Sequence, residues 1–181
     1  MKKLQVDHVL RAAGRITGER EFVIVGSQAL HGAHPDLPDD IARSAEVDLI
    51  AGSRVDRTEW LNVIGQDSPF HETFGYYADP VDERTAVLPD TWKQRLIPLG
   101  AGDTGGVTAY CLDPNDLAIS KYVAGRPKDR VFTRELARRR ITSCTTLLER
   151  LECTPVPGEL RDKLKFIIAA DFAESGTAES P

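Results

Sequence analysis

The sequence predicts an α/β (α+β) chain in which strands and helices share residues 1–112 and helices alone fill 113–173. Three observations carry that reading. Leu4, Val6, Val9, Leu10, Ala13 and Ile16 recur at three- and four-residue steps, the spacing of one apolar helix face. Phe22-Val23-Ile24-Val25 and Glu46–Ile50 are short runs rich in β-branched residues, each next to loop or turn residues. Beyond Asp113 the segments are of helical length, punctuated by cap residues, Pro and Gly. The polar tail 174–181 is expected to be disordered.

In chain order, Gly18 closes the first helix, and the strand Phe22–Val25 enters a turn at Gly26-Ser27. Gln28–Gly32 can begin a short helix, and His34–Asp40, with two prolines and three aspartates, is a solvated loop. In the strand Glu46–Ile50, Val47 and Leu49 share one face, while Glu46, Asp48 and Ile50 share the other. Asp56–Ile64 reads as helix, and the aromatic run Phe70–Tyr77 as strand, interrupted by Pro80. Arg95–Leu99 and Val107–Leu112 read as strands joined by the glycine-rich loop 100–106. Asp113-Pro114-Asn115-Asp116 caps a helix running to Gly125, and Phe132–Arg139, Thr145–Leu151 and Glu159–Phe172 supply three more.

Composition narrows the function classes. With 41% hydrophobic and 28% charged residues, a chain of 181 residues can bury its own core without staples. A net charge of −5 excludes a protein whose whole surface serves nucleic acid, leaving room only for a local basic patch. Cys111, Cys144 and Cys153 cannot all pair and show no CxxC spacing, so reduced thiols and a cytoplasmic location are expected. The opening MKKLQVDHVLRAAGR lacks the apolar run of a secretion signal, and no stretch approaches the ~20 apolar residues that span a bilayer.

The candidate chemistry lies at two strand ends. Glu46 and Asp48, two apart on a strand, point to the same side, and two like charges so close call for a cation or for water. Magnesium takes oxygen ligands and keeps several waters, so a few carboxylates on a rigid element suffice. Gly26-Ser27 offers backbone N–H groups and a hydroxyl where a strand passes into a helix, a setting suited to an anion.

Taken in order, an apolar strand, Gly26-Ser27, a helix and the strand bearing Glu46 and Asp48 resemble the signature of the polymerase-β nucleotidyltransferase superfamily. Leu117–Asp129, with Lys121 on a helix before Arg126-Pro127-Lys128-Asp129, looks like the AbiEii-type branch, which includes toxins of toxin–antitoxin systems. The chain, including Phe70–Tyr77, is similar to short bacterial members of that branch without assigned activity. The resemblance implies a nucleotidyltransferase fold, a small mixed sheet flanked by helices and followed by a helical subdomain that carries Lys121 and Asp129. It implies nucleotide binding by Gly26, Ser27 and Lys121, Mg2+ (or Mn2+) at Glu46 and Asp48, and a late acid at Asp129 that activity needs. Asp79 is the candidate third metal ligand and Glu72 the runner-up. The implied substrate is an NTP, the acceptor an RNA such as the 3′ end of tRNA, and the partner a cognate antitoxin. The competing expectation is a nucleotide-binding or partner-binding protein on the same scaffold with impaired catalysis.

Other features point to structure. His31 and His34 lack further zinc ligands nearby, and loop 100–106 lacks the lysine of a phosphate-binding GxxxxGK[ST]. GSQA is no hydrolase elbow. Lys128, Arg130, Arg134 and Arg138–Arg140 form the basic cluster, a solvated helix face by default and an RNA-holding patch in a transferase. Tyr76 and Tyr77 are core aromatics by default and base-stacking residues in the alternative.

Overall fold

A computed structural model describes residues 1–38, 40–41, 43–51, 55–100 and 102–176. Asp39 of the proline-rich loop, Ala101 of the glycine-rich loop and residues 177–181 of the expected tail lie outside the described residues. The chain parts into two compact units: Met1–Thr85 with Arg95–Asp113, and Ala86–Gln94 with Pro114–Pro181.

The first unit is built on one mixed five-stranded sheet: β1 (Glu21–Ile24), β2 (Glu46–Ala51), β3 (Tyr77–Pro80), β4 (Ile97–Pro98) and β5 (Thr108–Cys111). The spatial order is β3-β2-β1-β5-β4, with β1/β2 and β4/β5 antiparallel and β1/β5 and β2/β3 parallel. Pro80 and Pro98 sit on the two edge strands, where a missing N–H costs least. Register puts Phe22, Ile24, Val47, Leu49, Ala78, Ala109 and Cys111 on one face, and all are buried.

Helix α1 (Lys3–Thr17) buries Val6, Val9, Leu10 and Ala13 completely and ends at Gly18, whose φ of 72° and N–H bond to the Gly14 carbonyl close the last turn. Truncating a buried leucine such as Leu10 to alanine costs about 2–5 kcal/mol. Helix α2 (Leu30–Ala33) follows a 3-10 turn at Ser27–Ala29. It lies against the covered face of β5, so near that a Cβ on Gly32 would be 2.6 Å from that of Cys111.

Aromatic composition misled at one element here. Pro69–Phe74 is a helix, α3, and the strand begins only at Tyr77. Ser68 caps it by accepting the His71 N–H at 3.2 Å, Pro69 occupies the first turn, and Gly75 closes it at φ 74°. Aromatic content suggested a strand, but cap, proline and glycine set the local backbone. The expected helix at Asp56–Ile64 is a 3-10 segment, Val55–Ile64. The expected strand Arg95–Leu99 shortens to β4 after a 3-10 turn at Trp92–Arg95.

The second unit packs α4 (Pro114–Ala124), α5 (Pro127–Arg138), α6 (Cys144–Glu152) and α7 (Gly158–Gly176). Helices α4 and α7 each touch both α5 and α6. Leu117, Ile119, Leu136, Leu147, Leu151, Leu164 and Ile168 are buried. Segment Ala86–Gln94 belongs to this unit, tied by the Asp90 N–H to the Cys153 carbonyl at 2.8 Å. The helix expected to stop at Phe172 continues to Gly176, so residues 174–176 are helical rather than tail. No helix among the described residues is long and apolar enough to cross a membrane.

Candidate active site

The sheet face opposite carries Val23, Glu46, Asp48, Tyr77, Asp79 and Tyr110, all half-buried, together with Ile50, which is buried beside Val23. Alternation along the strands produces this: the residues between them fill the core, leaving the even-numbered acids of β2 outward. Parallel register sets Asp79 opposite Asp48 and Tyr77 opposite Glu46. Asp79 therefore joins the two acids that the sequence singled out. Glu72, the runner-up, is exposed in the first turn of α3 and off this face.

β1 delivers its end to the same place. The Val25 N–H donates to the Asp48 carbonyl at 3.2 Å, and the chain then leaves the sheet at Gly26. The Asp48 carboxylate occupies the space a side chain at position 26 would need: an ideal Cβ there would lie 1.6 Å from Oδ2 and 2.5 Å from Cγ. The sequence suggested that Gly26 lets a phosphate approach. What approaches it in the structure is Asp48. Ser27 follows, half-buried, its hydroxyl without a hydrogen bond among the described residues. Gln28 is fully buried: its Nε2 donates to the Ser44 carbonyl at 3.3 Å, and its Oε1 has no partner among the described residues.

Tyr77 is the site residue whose role the sequence did not reveal. Its hydroxyl donates to Glu46 Oε2 at 2.9 Å. Its own pKa is pushed up to about 12, first by burial, then by that bond and by the charges of Glu46, Asp79 and Asp48. The Asp79 pKa is raised from its ordinary value, by burial first and the Glu46 charge second. The acids thus feel one another across one face, and a cation would relieve the repulsion. Among the described residues no three His, Cys, Asp or Glu side chains gather closely enough to enclose a metal unaided. An all-oxygen donor set still fits magnesium, which takes one or two carboxylates and completes its shell with water and substrate phosphates.

Lys121 and Asp129 meet in the helical unit. Asp129, in the first turn of α5, has a side chain 4% exposed; it accepts from Arg126 Nε at 2.6 Å and lies 3.9 Å from Lys121 Nζ. The buried carboxylate holds Arg126 by charge-assisted hydrogen bonds and lies within ion-pair range of Lys121. The basic run is similarly engaged. Arg138 and Arg139 pair with Glu135, and Arg134 lies 3.6 Å from both Asp171 and Glu174. Tyr76 faces away from Tyr77, its hydroxyl 2.8 Å from His8 Nδ1 in a cluster with Phe70 and Phe74. His31 is buried, with Nε2 3.0 Å from the Met1 carbonyl.

A family described as "Nucleotidyltransferase of unknown function (DUF6036)" matches residues 2–152, which include the whole acid face, Lys121 and Asp129. No curated protein and no solved structure matches the chain.

Proposed function

Because the chain belongs to this family of nucleotidyltransferases of unknown function, we propose that it transfers a nucleoside monophosphate from an NTP to an acceptor hydroxyl. The observation that carries the proposal is the alignment of Asp48 with Asp79 on a half-buried face, with Gly26-Ser27 against Asp48. In the reaction the acceptor oxygen bonds to the α-phosphorus, the bond to pyrophosphate breaks, and the hydroxyl proton leaves to a carboxylate or water. Ser27, whose hydroxyl is available, would donate to a phosphate oxygen; Gly26 and Asp48 would hold the turn beside it. Glu46, Asp48 and Asp79 would supply the one or two carboxylates that hold Mg2+ or Mn2+, which when bound neutralises phosphate charge. Tyr77 would keep Glu46 oriented. Lys121 would contact the triphosphate, with Asp129 fixing its position.

The finer identity stays within the same proposal: an AbiEii-like enzyme of the cytoplasm, acting on RNA such as the 3′ end of tRNA, as a toxin restrained by an antitoxin. Incubation with magnesium, each labelled NTP and total tRNA tests it. Label transfer abolished by Asp48→Ala is expected; equal results from wild type and variant would sink the enzyme reading. Growth arrest on expression, relieved by the same substitution, tests the toxin role.

One observation favours the alternative, a binding protein with impaired catalysis: no three potential ligands are drawn together among the described residues. Nucleotide binding that requires Ser27 but survives Asp48→Ala, without transfer, would support it.

A further inference from the structure

At the opposite end of β1 from Gly26, the last turn of α1, the residues leading into β1 and the glycine turn before β5 enclose a cleft of about 230 Å3. Arg11, Arg15 and Arg20 line it, with Glu19, Gly105 and Gly106. The extended chain from Arg20 to Gly26 measures roughly 20 Å at the rise of a strand, so this cleft is distinct from the acid face.

Three features separate it from ordinary basic surface. Arg15 and Arg20 make no ion pair or hydrogen bond through their side chains among the described residues. Arg11 is held by Asp103, through its carbonyl at 2.9 Å and through its carboxylate. Gly105 and Gly106 both have positive φ, 66° and 84°, and the Val107 N–H reaches the Thr104 carbonyl at 3.4 Å. That is the form of a type I′ turn, which favours glycine at both central positions. The N–H groups of Gly105 and Gly106 have no acceptor among the described residues. A Cβ on Gly106 would be 3.9 Å from Arg20 Nη1, so turn and guanidinium border one space.

Guanidinium forks and free backbone N–H groups are the donors that hold phosphate oxygens. Glu19 and Asp103 oppose the positive charge, but Asp103 is already paired with Arg11. Arg15 also complements the negative end of α1; Arg20 and the glycine turn have no such use. We infer that this cleft binds a phosphate ester, at a site independent of the transferase face and of the function proposed for that face. Two sources share this chemistry, a free mononucleotide and one phosphate of a single RNA strand.

Amide resonances of the full chain, followed during titration with inorganic phosphate, AMP or a short single-stranded RNA, test the site. Saturable shifts at Arg20, Gly105 and Gly106 are expected. They should weaken about ten-fold or more in an Arg15→Gln/Arg20→Gln variant and persist in Asp48→Asn. Tighter binding of AMP than of RNA assigns the mononucleotide, and the reverse assigns the strand. Both arginines are exposed, and unchanged resonances elsewhere certify that the variant folds. No saturable shift with any probe, undiminished binding by the double variant, or loss of the shifts in Asp48→Asn would overturn the inference.

Discussion

The carboxylate of Asp48 lies in the space that a Cβ on residue 26 would occupy, 1.6 Å from its ideal position. Glycine at 26 therefore leaves the room that this placement of the Asp48 carboxylate uses. Gly26→Ala should turn that carboxylate away from Asp79 and displace the Ser27 turn. Transfer activity is expected to fall on the order of 100-fold, as for other misplacements near 1 Å. The backbone at Gly26 has φ −90°, which alanine accepts, so the fold should survive. Activity assays alongside thermal melts check this, and unchanged activity would refute the coupling.

Tyr77 and Glu46 should act as a unit. Tyr77→Phe removes the 2.9 Å bond and should lower activity by roughly 10-fold, in the range of lost orienting partners. If orientation of Glu46 is its role, Tyr77→Phe added to Glu46→Ala should have little further effect. A double-mutant cycle in transfer activity measures the coupling. Additive losses would mean that Tyr77 acts by itself.

Asp171 anchors α7 from within. Its side chain is 2% exposed and accepts from Tyr122 Oη at 3.0 Å and Arg130 Nη2 at 3.3 Å. Asp171→Ala removes both bonds, one of them to the part-exposed Arg130 charge, and should cost about 2–3 kcal/mol. Tyr122→Phe, which removes one bond, should cost about 1 kcal/mol. Denaturant unfolding distinguishes the two, and equal losses would contradict this account.

Glu135 supplies the pH dependence. Its pKa falls from 4.5 to about 2, through hydrogen bonds from Arg138 first and Arg139 next, and through their charges. A depressed carboxylate contributes stability above its unfolded pKa and loses it as pH falls through the folded one. Glu135→Gln should thus be less stable than wild type near neutrality by about 0.5–1 kcal/mol, the scale of surface pairs. The gap should close as pH drops from 4.5 toward 2. Melts of both proteins across that window check the sign.

The thiols should differ in reactivity. Cys111 is buried and its pKa pushed up to about 12, mainly by burial, whereas Cys153 is exposed and Cys144 half-buried. A thiol reagent should label Cys144 and Cys153 in the folded protein and reach Cys111 only after unfolding, as read by intact mass.

By itself, the sequence determined whatever depends on short-range pattern. The apolar stripe of α1 with Gly18, the alternation that puts Glu46 and Asp48 on one face, and the start of α4 at Pro114 are all written in spacings of a few residues. Local signals failed where two of them competed. At Pro69–Phe74 the aromatic content outweighed the Ser68, Pro69 and Gly75 boundary that sets the helix.

Tertiary structure alone decided the rest, because parallel pairing brings together residues that no local rule connects. Only register shows that Asp79, rather than Glu72, faces Asp48, and that Tyr77 meets Glu46 across 31 positions of chain. Packing gave Gly26 its reason, in a carboxylate 22 residues later (48 − 26), and made Asp129, ahead of the helix expected at Phe132–Arg139, a buried helical acid gripping Arg126 near Lys121. Strand alternation fixes where each acid points, whereas the partner it meets depends on which strand lies beside it.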